Sequence, residues 1–120
     1  MEWKFNNKLP IYTQLIEQMR IRIVTGYYPP GSRLSSVREL AAEAGVNPNT
    51  MQRAFAELES IGLVHAQRTS GRFITEDNEL IAQAKKETAN RLLEKFTNEM
   101  RALGFEKEEI LKLLEEYENE

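Results

Sequence analysis

The stretch SVRELAAEAGVNPNTMQR, at positions 36–53, predicts two short helices separated by a sharp bend. Its opening Ser-Val-Arg-Glu has the spacing of a capping box, so we expect a helix that begins at that serine and runs to about Ala44. Gly45 provides the bend, and Asn47 followed by Pro48 makes a favourable N-cap and first helical position. Two short helices around a glycine-containing turn are typical of a helix-turn-helix.

Helical spacing on both sides of this stretch predicts a small three-helix core. Pro10 is expected to begin the first helix, with Arg20 and Arg22 off its apolar stripe. That stripe consists of Ile11, Leu15, Met19 and Ile23. The helix after the bend is expected to end at Gly62. It should bury Met51, Ala54, Phe55, Leu58 and Ile61.

A β-hairpin is expected after the third helix. LVHAQ at 63–67 and RFIT at 72–75 flank the turn sequence RTSG, which places Gly71 near the tip. SRL at 32–34 predicts a very short strand. Because a hairpin of this size is not stable by itself, it must pack on the helices. The sequence therefore predicts a winged helix-turn-helix.

An apolar stripe continues through the C-terminal part of the chain, on a long helix from about Glu79 to Leu103. Gly104 is expected to end this helix, and a last helix should cover about 107–118 and bury Leu111 among other residues. One small winged domain cannot cover both apolar faces, so we expect them to form a homodimer. The predicted dimerisation residues are Ile81, Ala84, Leu92, Phe96, Met100, Leu103, Ile110, Leu114 and Tyr117.

The predicted fold class is mostly α with a small β-hairpin wing. Residues 1–76 form the winged helix-turn-helix domain, and residues 77–120 form a C-terminal arm of two dimerisation helices. The net charge of −3 divides unevenly. Residues 1–75 carry nine Lys and Arg against six Glu, giving +3, whereas residues 76–120 carry seven against thirteen acidic residues, giving −6. The basic part is therefore expected to face phosphates.

Polar side chains at the start of the third helix suggest base recognition. Asn and Gln can bond adenine bidentately, Arg can bond guanine, and the Thr methyl can contact the thymine methyl. Asn49, Thr50 and Gln52 together favour DNA contact over a merely solvated helix face. For Asn47 alone, a capping role is the stronger interpretation.

Arginines near the helix-turn-helix and the hairpin suggest backbone contacts. Arg38 lies in the first turn of its helix, where a cation is disfavoured unless an anion is nearby. We expect its target to be an external anion, most simply a phosphate, or else a guanine edge, and a local pair with Glu39 or Glu43 is the alternative. The candidate DNA-binding residues are Ser36, Arg38, Asn47, Asn49, Thr50, Gln52, Arg53, Arg68, Thr69 and Arg72.

Other function classes find little support in the sequence. There is no cysteine, and the single histidine, His65, has no neighbours that suggest a triad or a zinc site. No phosphate-binding glycine loop or metal-ligand spacing is present, so we expect no enzyme activity, no metal and no cofactor. No apolar stretch approaches the roughly 20 residues of a membrane span. The first residues lack a signal peptide, so a cytoplasmic location without membrane contact is expected.

The ordered motifs PIYTQL (10–15), IVTGYYPPGSRLSSVRELAAEAGVNPNTMQRAFAELESIGLV (23–64) and RTSGRFI (68–74) resemble the GntR family of bacterial transcription factors. The resemblance covers about Trp3 to Thr75. The short helical C-terminal part is similar to the small YtrA-type branch. That resemblance implies a dimeric repressor, often of operons that encode ABC transporters.

The resemblance also implies roles for individual residues. Arg68 and Thr69 match the wing tip, and the positions that match DNA-contacting residues of the family are Arg38, Asn47, Asn49, Thr50 and Gln52. The chain departs from the family pattern at Ser35, where proline is usual, and at Pro48, where many larger members carry a basic residue. Thr69 also replaces the first wing glycine. These departures concern the preferred DNA sequence rather than DNA binding itself.

The sequence therefore predicts a sequence-specific DNA-binding regulator, a homodimeric repressor on a near-palindromic double-stranded operator. A winged-helix module that binds a protein partner is the alternative, because fold does not dictate function. No convergent polar cluster in the sequence marks a small-molecule effector site.

Overall fold

The computed structural model describes residues 1–118, which form five helices and two strands. In chain order they are α1 (Ile11–Val24), α2 (Val37–Ala44), α3 (Pro48–Ser60), β1 (Val64–Gln67), β2 (Gly71–Ile74), α4 (Asn78–Ala102) and α5 (Lys107–Glu118). The prediction of a mostly helical fold with one hairpin is confirmed.

The chain divides into two compact units, the first ending at Lys85 and the second beginning at Lys86. The first unit extends past the predicted boundary at residue 76. The reason is that the start of α4 belongs to it, since Leu80, Ile81 and Ala84 pack against the core of the winged domain.

The core of the first unit lies between α1, α2, α3 and the hairpin. Its buried residues are Leu15, Met19, Ile23, Leu34, Leu40, Ala41, Ala44, Met51, Ala54, Phe55, Leu58, Leu63, Val64 and Ile74. Ile11, the first residue of the stripe predicted for α1, is 39% exposed. It occupies the first position of the helix, beyond the buried part of the stripe.

The residues before α1 are held against that helix by side-chain amides. The Gln14 amide donates to the carbonyls of Asn6 (2.9 Å) and Leu9 (2.7 Å) and accepts from the Asn6 N–H (2.9 Å). Gln18 accepts from the N–H of Lys4 (3.0 Å) and donates to its carbonyl (2.6 Å). Two glutamines therefore attach an irregular segment to a regular helix.

This segment covers Arg22, which the sequence placed off the apolar stripe. Only 3% of Arg22 is exposed. Its guanidinium donates to the Met1 carbonyl at 2.9 Å and lies 3.7 Å from the centroid of the Trp3 ring. Arg22 is thus a packed part of the scaffold, satisfied by a hydrogen bond and a cation–π contact.

Local signals set the helix-turn-helix where the sequence predicted it. The Glu39 N–H donates to Ser36 Oγ, and Glu39 Oε1 accepts from the Ser36 N–H, each at 3.1 Å. Gly45 ends α2 in the left-handed region at φ 70°. The Val46 N–H then donates to the Ala41 carbonyl at 3.0 Å, which turns the chain toward α3.

The hairpin pairs Val64 with Ile74 at its base and Gln67 with Gly71 near its tip. The very short strand predicted at 32–34 is present as a bridge between Arg33 and Phe73. Two bonds of 2.8 Å flank it, from the Leu34 N–H to the Arg72 carbonyl and from the Ile74 N–H to the Ser32 carbonyl. These bonds fix the wing to the segment that leads into α2.

In the second unit, Gly104 follows α4 with φ 96°, and the Glu106 N–H donates to Glu109 Oε1 at 3.0 Å before α5. The helix bounds agree closely with the predicted ones. Of the residues that were expected to be buried in the last helix, Ile110 is the one that is buried within a single chain. The other residues predicted to be buried there are exposed: Leu111, Leu114 and Tyr117.

Candidate nucleic-acid interface

The outer face of α3 is polar and accessible. Asn49, Gln52 and Arg53 are exposed and share one side of the helix, since they are three and four residues apart. The opposite side is anchored in the core. This geometry matches the predicted contact face, with Thr50 half-buried beside it.

Asn47 acts as the N-cap of α3. Its Oδ1 accepts a 2.7 Å hydrogen bond from the Asn49 N–H. The capping interpretation is therefore confirmed for this residue. The residue itself is exposed at the start of the helix.

Arg53 has a partner that the sequence did not reveal. Its guanidinium carbon lies 4.1 Å from the centroid of the Tyr12 ring, at the start of α1. A cation–π contact of this kind restrains the guanidinium but leaves its N–H edges available. The contact places Arg53 toward the α1 side of the face, whereas Asn49 and Gln52 have no such restraint.

At the start of α2, the carboxylate of Glu39 is engaged in hydrogen bonds, whereas the guanidinium of Arg38 is not. Hydrogen bonds from the backbone and side chain of Ser36 lower the pKa of Glu39 from its ordinary value of 4.5, and the charge of Arg33 adds to this. Arg38 is exposed and makes no ion pair or hydrogen bond within residues 1–118. The alternative of a local pair with Glu39 or Glu43 is thus not formed, and Glu43 instead accepts from Trp3 Nε1 at 3.0 Å.

The predicted contact residues of the wing differ in exposure and in ion pairing. Arg68 and Thr69 are exposed in the turn between β1 and β2, as expected for a wing tip. Arg72 is half-buried, forms an ion pair with Glu59 on α3, and lies 5.2 Å from the centroid of the Phe55 ring. Because its charge is already compensated, Arg72 serves to fasten the wing to α3.

A concave pocket of about 610 Å³ joins these parts of the first unit. Its lining includes Ser36, Arg38, Gln52 and Arg72, four of the predicted contact residues. It also includes Arg33, which sequence reasoning missed. The sequence feature that could have indicated this residue is a single arginine in the short strand predicted just before α2.

Other kinds of site are not seen in the part of the chain that the structure describes. Within residues 1–118, no cluster of His, Asp or Glu has the grouping of a metal site. Over the same residues, no helix combines the length and apolar character needed to cross a bilayer.

Comparison with known proteins gives a consistent result. The model of the bacterial regulatory proteins of the gntR family matches residues 11–74. The HTH-type transcriptional regulator YhcF of Bacillus subtilis is 40% identical over 111 residues, which are 92% of either chain. The HTH-type transcriptional repressor YtrA of the same organism is 44% identical over 68 residues, 57% of this chain and 52% of that protein.

Solved structures extend the comparison. A GntR family transcriptional regulator from Listeria monocytogenes is 42% identical, with a TM-score of 0.86 over 93% of this chain and 98% of its own. The AraR DNA-binding domain, solved in complex with operator ORR3, is 28% identical, with a TM-score of 0.53 over 60% of this chain and 87% of its own.

Proposed function

Because this chain belongs to the GntR family of DNA-binding transcriptional regulators, we propose that it is a homodimeric repressor of a near-palindromic operator. The observation that carries the proposal is the exposed polar face of α3 beside a pocket lined by Arg33 and Arg38. Base edges would meet α3, and backbone phosphates would meet the arginines and the wing tip. This division of labour is usual for helix-turn-helix proteins.

Base reading would be carried by Asn49 and Gln52. Both are exposed, and neither side chain forms a hydrogen bond within residues 1–118. Amide side chains bond the adenine edge in the major groove, so A·T pairs are the expected targets. Arg53, held by Tyr12 at one edge of the face, is better placed for the DNA backbone or a flanking base.

Dimerisation would use the apolar faces of α4 and α5. Within one chain several large apolar residues of these helices and of the turn between them are exposed: Leu92, Leu93, Phe96, Leu103, Leu111, Leu113, Leu114 and Tyr117. A set of this size usually marks an interface, and a two-fold dimer is the commonest way to cover it. Leu93 and Leu113 were not among the residues predicted from the sequence.

Repression is proposed for two reasons. The relative YtrA is named a repressor. In addition, a protein bound near a promoter blocks the access of RNA polymerase without needing any further contact. An operon for an ABC transporter as the target follows only from the YtrA-type resemblance. Such a protein would act on the chromosome, and hence in the cytoplasm.

The test is selection of bound duplexes from a random pool, followed by binding titrations over a range of salt. A repressor of this type should select two half-sites related by two-fold symmetry and show a steep salt dependence. Sedimentation should give a dimer at micromolar concentration. Absence of duplex binding at low salt would favour the protein-interaction module instead.

A further inference from the structure

Arg33 has a fixed backbone and a free charge. Its backbone pairs with Phe73, and the bonds on either side of that bridge tie it to β2. Its side chain is exposed and makes no ion pair or hydrogen bond within residues 1–118. A cation with a rigid attachment and an unused set of donors is well suited to bind an external anion.

The position of the guanidinium depends on Gly71. A Cβ placed on Gly71 would lie 3.1 Å from Arg33 Nε and 3.4 Å from Nη2. The guanidinium therefore rests directly over the glycine backbone at the start of β2, in space that any side chain would occupy. The absence of a side chain at Gly71 therefore leaves room for the arginine against the wing.

The charges around the pocket leave two arginines available. Arg72 is compensated by Glu59. The nearby carboxylate of Glu39 accepts from the Ser36 N–H and has a lowered pKa, so it is already engaged as an anion in the helix cap. Arg33 and Arg38 line the same pocket, and neither forms an ion pair or a hydrogen bond within residues 1–118, although the charge of Arg33 contributes to the lowered pKa of Glu39.

We propose that Arg33 is a further DNA-binding residue, which together with Arg38 binds one backbone phosphate between the wing and the start of α2. The pocket is bounded by Gln52 of the base-contacting face, so a duplex read by α3 would carry a phosphodiester past it. Guanidinium groups bind phosphate oxygens bidentately, and the partial positive charge at the start of α2 adds to the attraction. This inference rests on the DNA-binding mode proposed above.

The experiment compares Arg33→Ala and Arg33→Lys with the wild-type protein and with Arg101→Ala. Arg101 is exposed in the second unit, so its substitution removes the same charge away from the pocket. Titrations use the selected operator and an unrelated duplex across a series of salt concentrations, and thermal unfolding confirms that each variant is folded.

Arg33→Ala should weaken binding to both duplexes by the same factor and lower the salt slope by about one for each protomer bound, so by about two for the dimer on its operator, whereas Arg101→Ala should not. Affinity falls as the salt concentration rises from roughly 50 to 200 mM, and each phosphate contact that is lost should make that fall about 3.5-fold smaller, or about 12-fold smaller for the two contacts of a dimer. Arg33→Lys should keep the slope because it keeps the charge. Ethylation of one phosphate in each half-site should inhibit the wild type and Arg33→Lys strongly, and should inhibit Arg33→Ala less, because only Arg38 then contacts that phosphate.

The outcomes separate the two proposals. If the wild type binds no duplex, the proposed function fails. If the wild type binds and Arg33→Ala matches Arg101→Ala in slope, affinity and ethylation pattern, the role of Arg33 is refuted while the proposed function stands. A loss of binding to the operator alone would instead make Arg33 a base-reading residue, which also refutes a phosphate contact.

Discussion

Replacing Gly71 with alanine tests the structural basis of the wing. Gly71 has φ 99°, outside the range that residues with a Cβ prefer, and its Cβ would approach Arg33 Nε to 3.1 Å. Gly26 provides the matched control, since it has φ 80° in the same unit and nothing within 4 Å of its Cβ. The two substitutions therefore share the backbone strain and differ in the contact with Arg33.

The magnitudes of the two effects are separable. Forcing a residue with a Cβ into the left-handed region costs roughly 1–2 kcal/mol, so each variant should lose about that much free energy of unfolding. The contact with Arg33 adds little to this loss, because the far end of an exposed arginine can move. Its movement should appear in DNA binding instead, since the guanidinium leaves the position where it meets a phosphate.

The assay is a double-mutant cycle in the salt slope of duplex binding. Gly71→Ala should lower the slope by close to one for each protomer bound, as Arg33→Ala does, and Gly26→Ala should leave it unchanged. In the Arg33→Ala background, Gly71→Ala should cause no further decrease, because the two changes remove the same contact. An additive pair, or a Gly71→Ala slope equal to that of Gly26→Ala, would refute the reasoning.

Three further outcomes are expected. Asn49→Ala and Gln52→Ala should each cost about 1–3 kcal/mol of operator binding and relax base preference, measured by competition with altered duplexes; unchanged discrimination in the double variant would exclude α3 as the reader. Phe96→Glu should sediment as a monomer, while Asn98→Glu, which adds the same charge at an exposed polar position, should remain a dimer. Glu39→Gln should unfold more readily than the wild type above pH 4.5. The difference in stability should vanish as the pH falls through the lowered pKa that Glu39 has in the folded protein, because protonation then removes the anionic cap. A difference that persists in acid would contradict that assignment.

The helix-turn-helix could be predicted from sequence because its boundaries depend on local interactions. The capping box joins Ser36 to Glu39, the cap of α3 joins Asn47 to Asn49, and the bend needs only the φ of Gly45. Each of these interactions spans at most a few residues, so the spacing of residue types along the sequence is enough to predict it. The hairpin is similar, since its register follows from alternation around one turn.

The fates of individual arginines could not be predicted in the same way. Helical spacing shows the side of a helix from which a side chain leaves, but not which distant segment lies over it. Arg22 is buried by Met1 and Trp3, which precede α1 by an irregular stretch. Arg53 meets Tyr12 across two helices, so a residue assigned to base reading by its spacing is restrained by α1.

Whether an arginine is paired within the fold also indicates its function at the interface. Arg72 has its charge compensated within the fold, so its substitution should act through the attachment of the wing. Arg33 and Arg38 form no ion pair or hydrogen bond within residues 1–118, and they lie beside the positive end of α2, where a bound anion would be stabilised. The free protein therefore holds together two cations that a DNA phosphate would compensate, and binding should stabilise the region where α2 meets the wing.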